Sequence, residues 1–210
     1  NIITKKPTSK ATINGRVFLE NNTAIASTFV SQKIKNISYA IQTQFLNTSA
    51  TDQNDDKFSD TPKVSLSSYN GQIKLHELLV PSSELLFDIR RTNEIRKAGQ
   101  LSNIDNALDK TSEHVRTEES ALSVTYTQPF NLVTYSQNST LNSKLTLFAS
   151  LFNTNRFSTN QNVINPTADQ PTFDLQDQKQ YFSLQIETPK VNQHVYTLGT
   201  DVTRSNLTEI

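Results

Sequence analysis

Val64-Ser-Leu-Ser-Ser-Tyr-Asn-Gly-Gln-Ile-Lys-Leu-His-Glu-Leu-Leu-Val80 is the stretch on which the fold class turns. Two runs of alternating apolar and polar residues flank Asn70-Gly71. Asn-Gly suits a type I′ turn because both central residues there take positive φ, so the stretch predicts a β-hairpin. In that register Tyr69 faces Gln72, and Leu66 pairs with Leu75 on one apolar side. Asn14-Gly15 divides Lys10–Ile13 from Arg16–Leu19 in the same way and predicts another hairpin.

Outward from there the period of two recurs. Ile37, Tyr39, Ile41, Thr43 and Phe45 alternate with Ser, Ala, Gln and Gln, the pattern of a half-buried strand. Leu122, Val124 and Tyr126 alternate, as do Leu145, Leu147, Ala149 and Leu151, the latter with Phe148 and Phe152 on the opposite side. Between Pro81 and Ser120 the pattern changes. Leu85, Leu86 and Ile89 have helical spacing. Ser102 with Asp105 resembles a capping box ahead of a stripe of Ile104, Ala107, Leu108 and Val115. The expectation is a mainly β fold, a sandwich or barrel of antiparallel hairpins with one or two helices inserted around residues 81–120. A mixed α+β fold is the alternative.

The 210 residues are read as a single β-rich domain with three parts. Residues 1–50 are basic, six Lys and Arg against Glu20 alone; residues 81–120 form the charged insertion; residues 121–210 are rich in aromatics. Charge balances overall, 20 basic against 20 acidic residues, so no global field draws the chain to a polyanion. Asn, Gln, Ser and Thr make up 84 of the 210 residues, which predicts an uncharged polar surface. No run approaches the ~20 apolar residues of a helical span, so no membrane span is expected in this chain. It starts at Asn1 rather than Met, which fits signal removal, polyprotein cleavage or an incomplete N-terminus.

The residue inventory excludes several chemistries. With no Cys there are no disulfides, thiolate zinc sites or cysteine nucleophiles. The only glycines are Gly15, Gly71, Gly99 and Gly199, too dispersed for a phosphate-cradling loop or a nucleophile elbow. His76, His114 and His194 have no ligand-like spacing and read as ordinary strand or surface histidines. A triad assembled by the fold from distant residues stays open in principle. Asp52, Asn54, Asp56 and Asp60 occupy positions 1, 3, 5 and 9 of a Ca²⁺-like loop. Lys57 and Lys63, however, stand where glycine and a bidentate Glu belong, so a solvated loop is expected. Arg90, Arg91, Arg96 and Lys97 are interleaved with Asp88 and Glu94 and read as a self-compensating helix face. Lys5, Lys6 and Lys10 form a small basic arm suited to anion or nucleic-acid contact.

With no cofactor motif and no catalytic constellation, the sequence predicts a non-enzymatic structural or assembly protein. It would be a virion (capsid-type) or other surface-lattice component that works through contacts with copies of itself or other subunits. The runner-up is a secreted or periplasmic binding module for a glycan or peptide. Either role places it in a virion or at an extracytoplasmic surface.

Overall fold

The computed structural model describes residues 7–78, 80–105, 112–133, 140–160, 172–188 and 195–209. Among these residues nine strands follow one another: β1 Thr12–Glu20, β2 Thr23–Ile34, β3 Ile37–Thr48, β4 Lys63–His76, β5 Glu84–Gly99, β6 Ser112–Val133, β7 Thr140–Asn160, β8 Thr172–Glu187 and β9 Thr197–Glu209. They form one antiparallel sheet in chain order, β1 through β9, each strand beside the next. The mainly β fold stands. Among the described residues there is no second sheet, as a sandwich requires.

The helices expected within residues 81–120 are not there. Residues 84–99 and 112–120 are strand, and the described residues between them hold a 3-10 turn, Leu101–Asn103. The part of that reading that falls on residues 106–111 lies outside the described residues. Side-chain geometry shows why helical spacing misled. Leu85, Phe87 and Ile89 share one face, while Leu86, Asp88 and Arg90 share the other. The adjacent leucines are one from each face. Arg96 bonds Glu94, two residues away, which only an extended strand brings side by side.

Both Asn-Gly pairs also lie inside strands. Asn14 and Gly15 pair with Phe29 and Thr28, and Gly71 pairs with Ile41 on one side and Ile89 on the other. Leu66 and Leu75 consequently fall on opposite faces, opposite Leu46 and Ile37 respectively. The two-residue turns are Asn21-Asn22 and Lys35-Asn36, with Asn21 at φ 47 and Lys35 at φ 50. Asparagine tolerates that left-handed region without glycine's help.

A Cβ added at Gly71 would meet nothing within 4 Å, whereas one at Gly199 would lie 2.8 Å from the Leu184 carbonyl oxygen. Gly71→Val therefore leaves stability unchanged or raises it by about 0.5–1 kcal/mol, because the strand gains a β-branched residue. Gly199→Ala costs about 1–3 kcal/mol through overpacking. Paired denaturant melts check this; a large loss at Gly71 would mean that residues 70–71 turn the chain.

Candidate functional site

The register divides the sheet into two unlike faces. One carries the alternate residues of Ile13–Leu19, Ala24–Ile34, Ile37–Phe45, Tyr69–Leu75, Leu85–Ile89, Leu122–Phe130, Ser143–Leu151, Phe182–Ile186 and Leu198–Val202. That band crosses all nine strands and contains no charged side chain. At the same levels the opposite face carries Arg16, Lys33, Lys74, Asp88, Lys144 and Asp201.

Exposure is the reverse of a water-filled surroundings' usual pattern. Of the 24 exposed large hydrophobic residues among those described, 17 are strand residues of the apolar face and two, Phe18 and Leu207, are strand residues of the polar face. Among the described residues the only buried apolar side chains are Ala40 and Ile104, while Ser31, Ser38, Ser83, Ser112, Ser143 and Ser183 are buried. Phe45 and Tyr69 meet edge-to-face at 5.8 Å at one border of the band, and Tyr126 and Phe130 lie toward the other. Past that first border the same face turns polar, with Arg116 bonded to Glu118 and Asn153 and Gln178 nearby in the rows.

On the polar face three adjacent strands bring together Ser38, His76 and Glu84. Ser38 Oγ lies 3.0 Å from His76 Nε2, and His76 Nδ1 lies 3.2 Å from Glu84 Oε1. Lys74 Nζ donates to the other Glu84 oxygen at 3.0 Å. Burial raises the Glu84 pKa, but the Lys74 ammonium and His76 outweigh it and hold the carboxyl below its usual value. An ionised carboxylate has no proton to give, so His76 Nδ1 donates to it. In the neutral ring Nε2 then accepts from the Ser38 hydroxyl.

The backbone around these residues is pinned. His76 N donates to Asn36 O at 2.7 Å, fixing β4 against the β2–β3 turn. The β4–β5 connection is closed by Ser83, whose fully buried hydroxyl donates to Val80 O at 2.6 Å. Glu77 N donates to Ser83 O at 2.7 Å, which places His76 directly opposite Glu84.

The residues singled out from sequence are differently placed. Asp52, Asn54, Asp56 and Asp60 do share one loop, but their oxygens face the chain. Asp52 accepts from Lys57 N, Asp60 from Gln53 N, Asp56 from Phe58 N and Asn54 from Asp56 N, at 2.5–3.1 Å. Asp55 and Lys57 take positive φ to allow it. Among the described residues no group of three His, Cys, Asp or Glu side chains is placed to hold a metal ion. Lys10 is exposed, while Lys5, Lys6 and His194 lie outside the described residues. Arg90 and Arg96 fall on the polar face and Arg91 and Lys97 on the other, so they form no common patch. No known protein family and no curated protein matches the chain.

A second polar cluster lies at the long-connection end of the other face. Lys63 and Lys97 donate to Asp105 at 2.9 Å, and these bonds lower its pKa to about 2. His114 Nε2 donates to Ile104 O at 3.0 Å; burial nonetheless lowers its pKa below the usual 6.5. A depressed histidine favours the neutral ring in the fold. Its stabilisation is complete above pH 6.5 and is lost as pH falls through the lowered value. Asp105 behaves likewise between pH 3.8 and about 2, although its 61% exposure makes that contribution small and salt-screened. The expected ring-proton titration of His114 has its midpoint below 6.5, and His114→Gln loses less stability on acidification than the parent chain. A midpoint at or above 6.5 contradicts this.

Proposed function

We propose that the sheet is wall of a transmembrane β-barrel, with its apolar face against lipid acyl chains and its polar face lining the interior. The observation that carries this reading is the uncharged band on one face of all nine strands. No helix of the described residues is long and apolar enough to cross a membrane, which leaves spanning by strands untouched.

Three further features support it. The run Ile37–Phe45 has nine residues; at ~3.4 Å per residue and a moderate tilt it rises about 25 Å, the height of a barrel's lipid-facing belt. The band also drifts across the register. The midpoint of the β1 run, Arg16, maps through the eight pairings to Leu207, but the β9 run is centred on Thr200. Seven residues of drift at ~3.4 Å over eight spacings of ~4.8 Å mean strands inclined by about 30° to the belt normal, near the tilt of closed barrels. Finally, the connections alternate in length. Those at one rim have 2, 14, 12 and 11 residues, and those at the other have 2, 7, 6 and 9. Barrels in outer membranes show that asymmetry of long loops and short turns.

This reading departs from the lattice role expected from the sequence, since the apolar face meets lipid rather than neighbouring subunits. The chain has no Trp, so a single introduced indole reports its own surroundings. Reconstituted into vesicles with brominated acyl chains, Ile41→Trp is quenched and Gln42→Trp, one residue on and facing the interior, is not. Ile41→Arg disfavours insertion by about 2–4 kcal/mol, read as loss of the vesicle-bound fraction, while Gln42→Arg inserts normally. Equal, weak quenching at both positions overturns the bilayer reading. If it comes with regular particles in buffer, the lattice role replaces it.

A further inference from the structure

We propose that Ser38, His76 and Glu84 form a nucleophilic site that hydrolyses small carboxylic esters reaching the polar face. The proposal rests on local geometry and stands whether the opposite face meets lipid or protein. Ser38 to His76 Nε2 is 3.0 Å and His76 Nδ1 to Glu84 is 3.2 Å, the reach and order of a nucleophile, a base and the carboxylate that orients it. Although Ser38 is only 5% exposed, it borders a hollow of about 330 Å³ with Lys33, Gln72 and Leu86 on its walls. That volume suits a small acyl group.

The chemistry balances with water as the only co-reactant. Ser38 Oγ attacks the ester carbonyl carbon as its proton passes to His76 Nε2. The carbonyl π pair moves onto oxygen. Lys33 and Lys74 are the cross-strand neighbours of Ser38, so cations flank the site where that oxyanion forms. The pair returns, the carbon–alkoxy bond breaks, and the leaving alcohol takes the proton from His76. Water, deprotonated by His76, then attacks the acyl-serine; the acyl carbon–Oγ bond breaks, His76 returns the proton to Ser38 Oγ, and the acid leaves. Glu84 is a positioning residue. It holds the Nδ1–H tautomer and stabilises the imidazolium, while Lys74 keeps Glu84 ionised.

The test treats the folded full chain with a fluorophosphonate, which loses fluoride as an activated serine bonds phosphorus. Peptide mass spectrometry is expected to find the adduct on Ser38 at least ~10-fold faster than on any other serine. His76→Gln slows it by about 10²-fold or more, and p-nitrophenyl acetate hydrolysis falls in step in Ser38→Ala. Glu84→Gln lowers kcat and moves the rising limb of the pH profile to lower pH, a shift that loss of packing alone would not produce. Because the chain has no Cys, Ser38→Cys gives a second measurement that leaves the strand intact. Beside His76 its thiol is alkylated by iodoacetamide at neutral pH at least ~10-fold faster than that of Ser183→Cys, a comparably buried control. No Ser38 adduct on the folded chain, or equal alkylation of the two thiols, overturns the proposal.

Discussion

Parity of the register is the constraint on which the rest of the structure depends. Side chains alternate along a strand, so an odd slip in any one pairing would exchange the faces of every strand beyond it. None of the eight pairings makes that error. The row Ile41, Gly71, Ile89, Leu122, Leu151 is apolar throughout, and the row beside it, Ala40, Gln72, Asp88, Ser123, Ser150, is polar but for one alanine. A chain that is 34% hydrophobic has too little apolar surface to fill a thick core. Spent on one face of a single layer, it is enough to make that face uniform.

The same economy supports the proposed bilayer surroundings. A fully buried Ile, Leu or Phe gains about 1.5–3 kcal/mol over an exposed one. Exposure of 17 large hydrophobic strand side chains on one face would forfeit much of the stability of an ordinary domain in water. Against acyl chains that cost disappears, and the burden passes to the polar face, whose groups then need partners or water. Gln72 donates to Asp88 at 2.6 Å, Lys179 pairs with Asp177 at 2.8 Å, and Phe148 packs on Tyr181 at 5.5 Å. Individually such surface pairs are weak; their importance is that none of them lies in the band on the other side.

What could be read from sequence follows the range of the interaction. The strand at Ile37–Phe45 and those holding Leu122–Tyr126 and Leu145–Leu151 were legible because alternation is local. Asn70-Gly71 was misleading because the pair marks a turn only where the chain reverses, and here both residues are paired within β4, Gly71 with Ile41 and Ile89. The true turns at Asn21-Asn22 and Lys35-Asn36 carry a weaker signal, asparagine without glycine. Residues 84–99 seemed helical because Leu85-Leu86 breaks the visible alternation, and a pair split between faces looks the same in sequence as one turn of helix. The apolar band itself was present residue by residue, but its continuity across strands appears only when eight registers are known. No composition or 20-residue hydropathy window sums over alternate residues of nine separate segments.

Ser38, His76 and Glu84 show the same limit more sharply. Separations of 38 and eight residues have no motif to mark them, and each residue alone is unremarkable in a polar strand. Their meeting depends on the β3–β4 register and on the β4–β5 connection. Lys35-Asn36 sets β3 one step past β2 and supplies the carbonyl that holds His76, and the Ser83-locked connection returns β5 so that Glu84 stands beside His76. The buried hydroxyl of Ser83 therefore supports the site without touching it. It also explains why a strained connection, with Glu77 at φ 57 and Ser82 at φ 65, can persist: the hydrogen bonds that close it fix the pairing in which His76 and Glu84 meet.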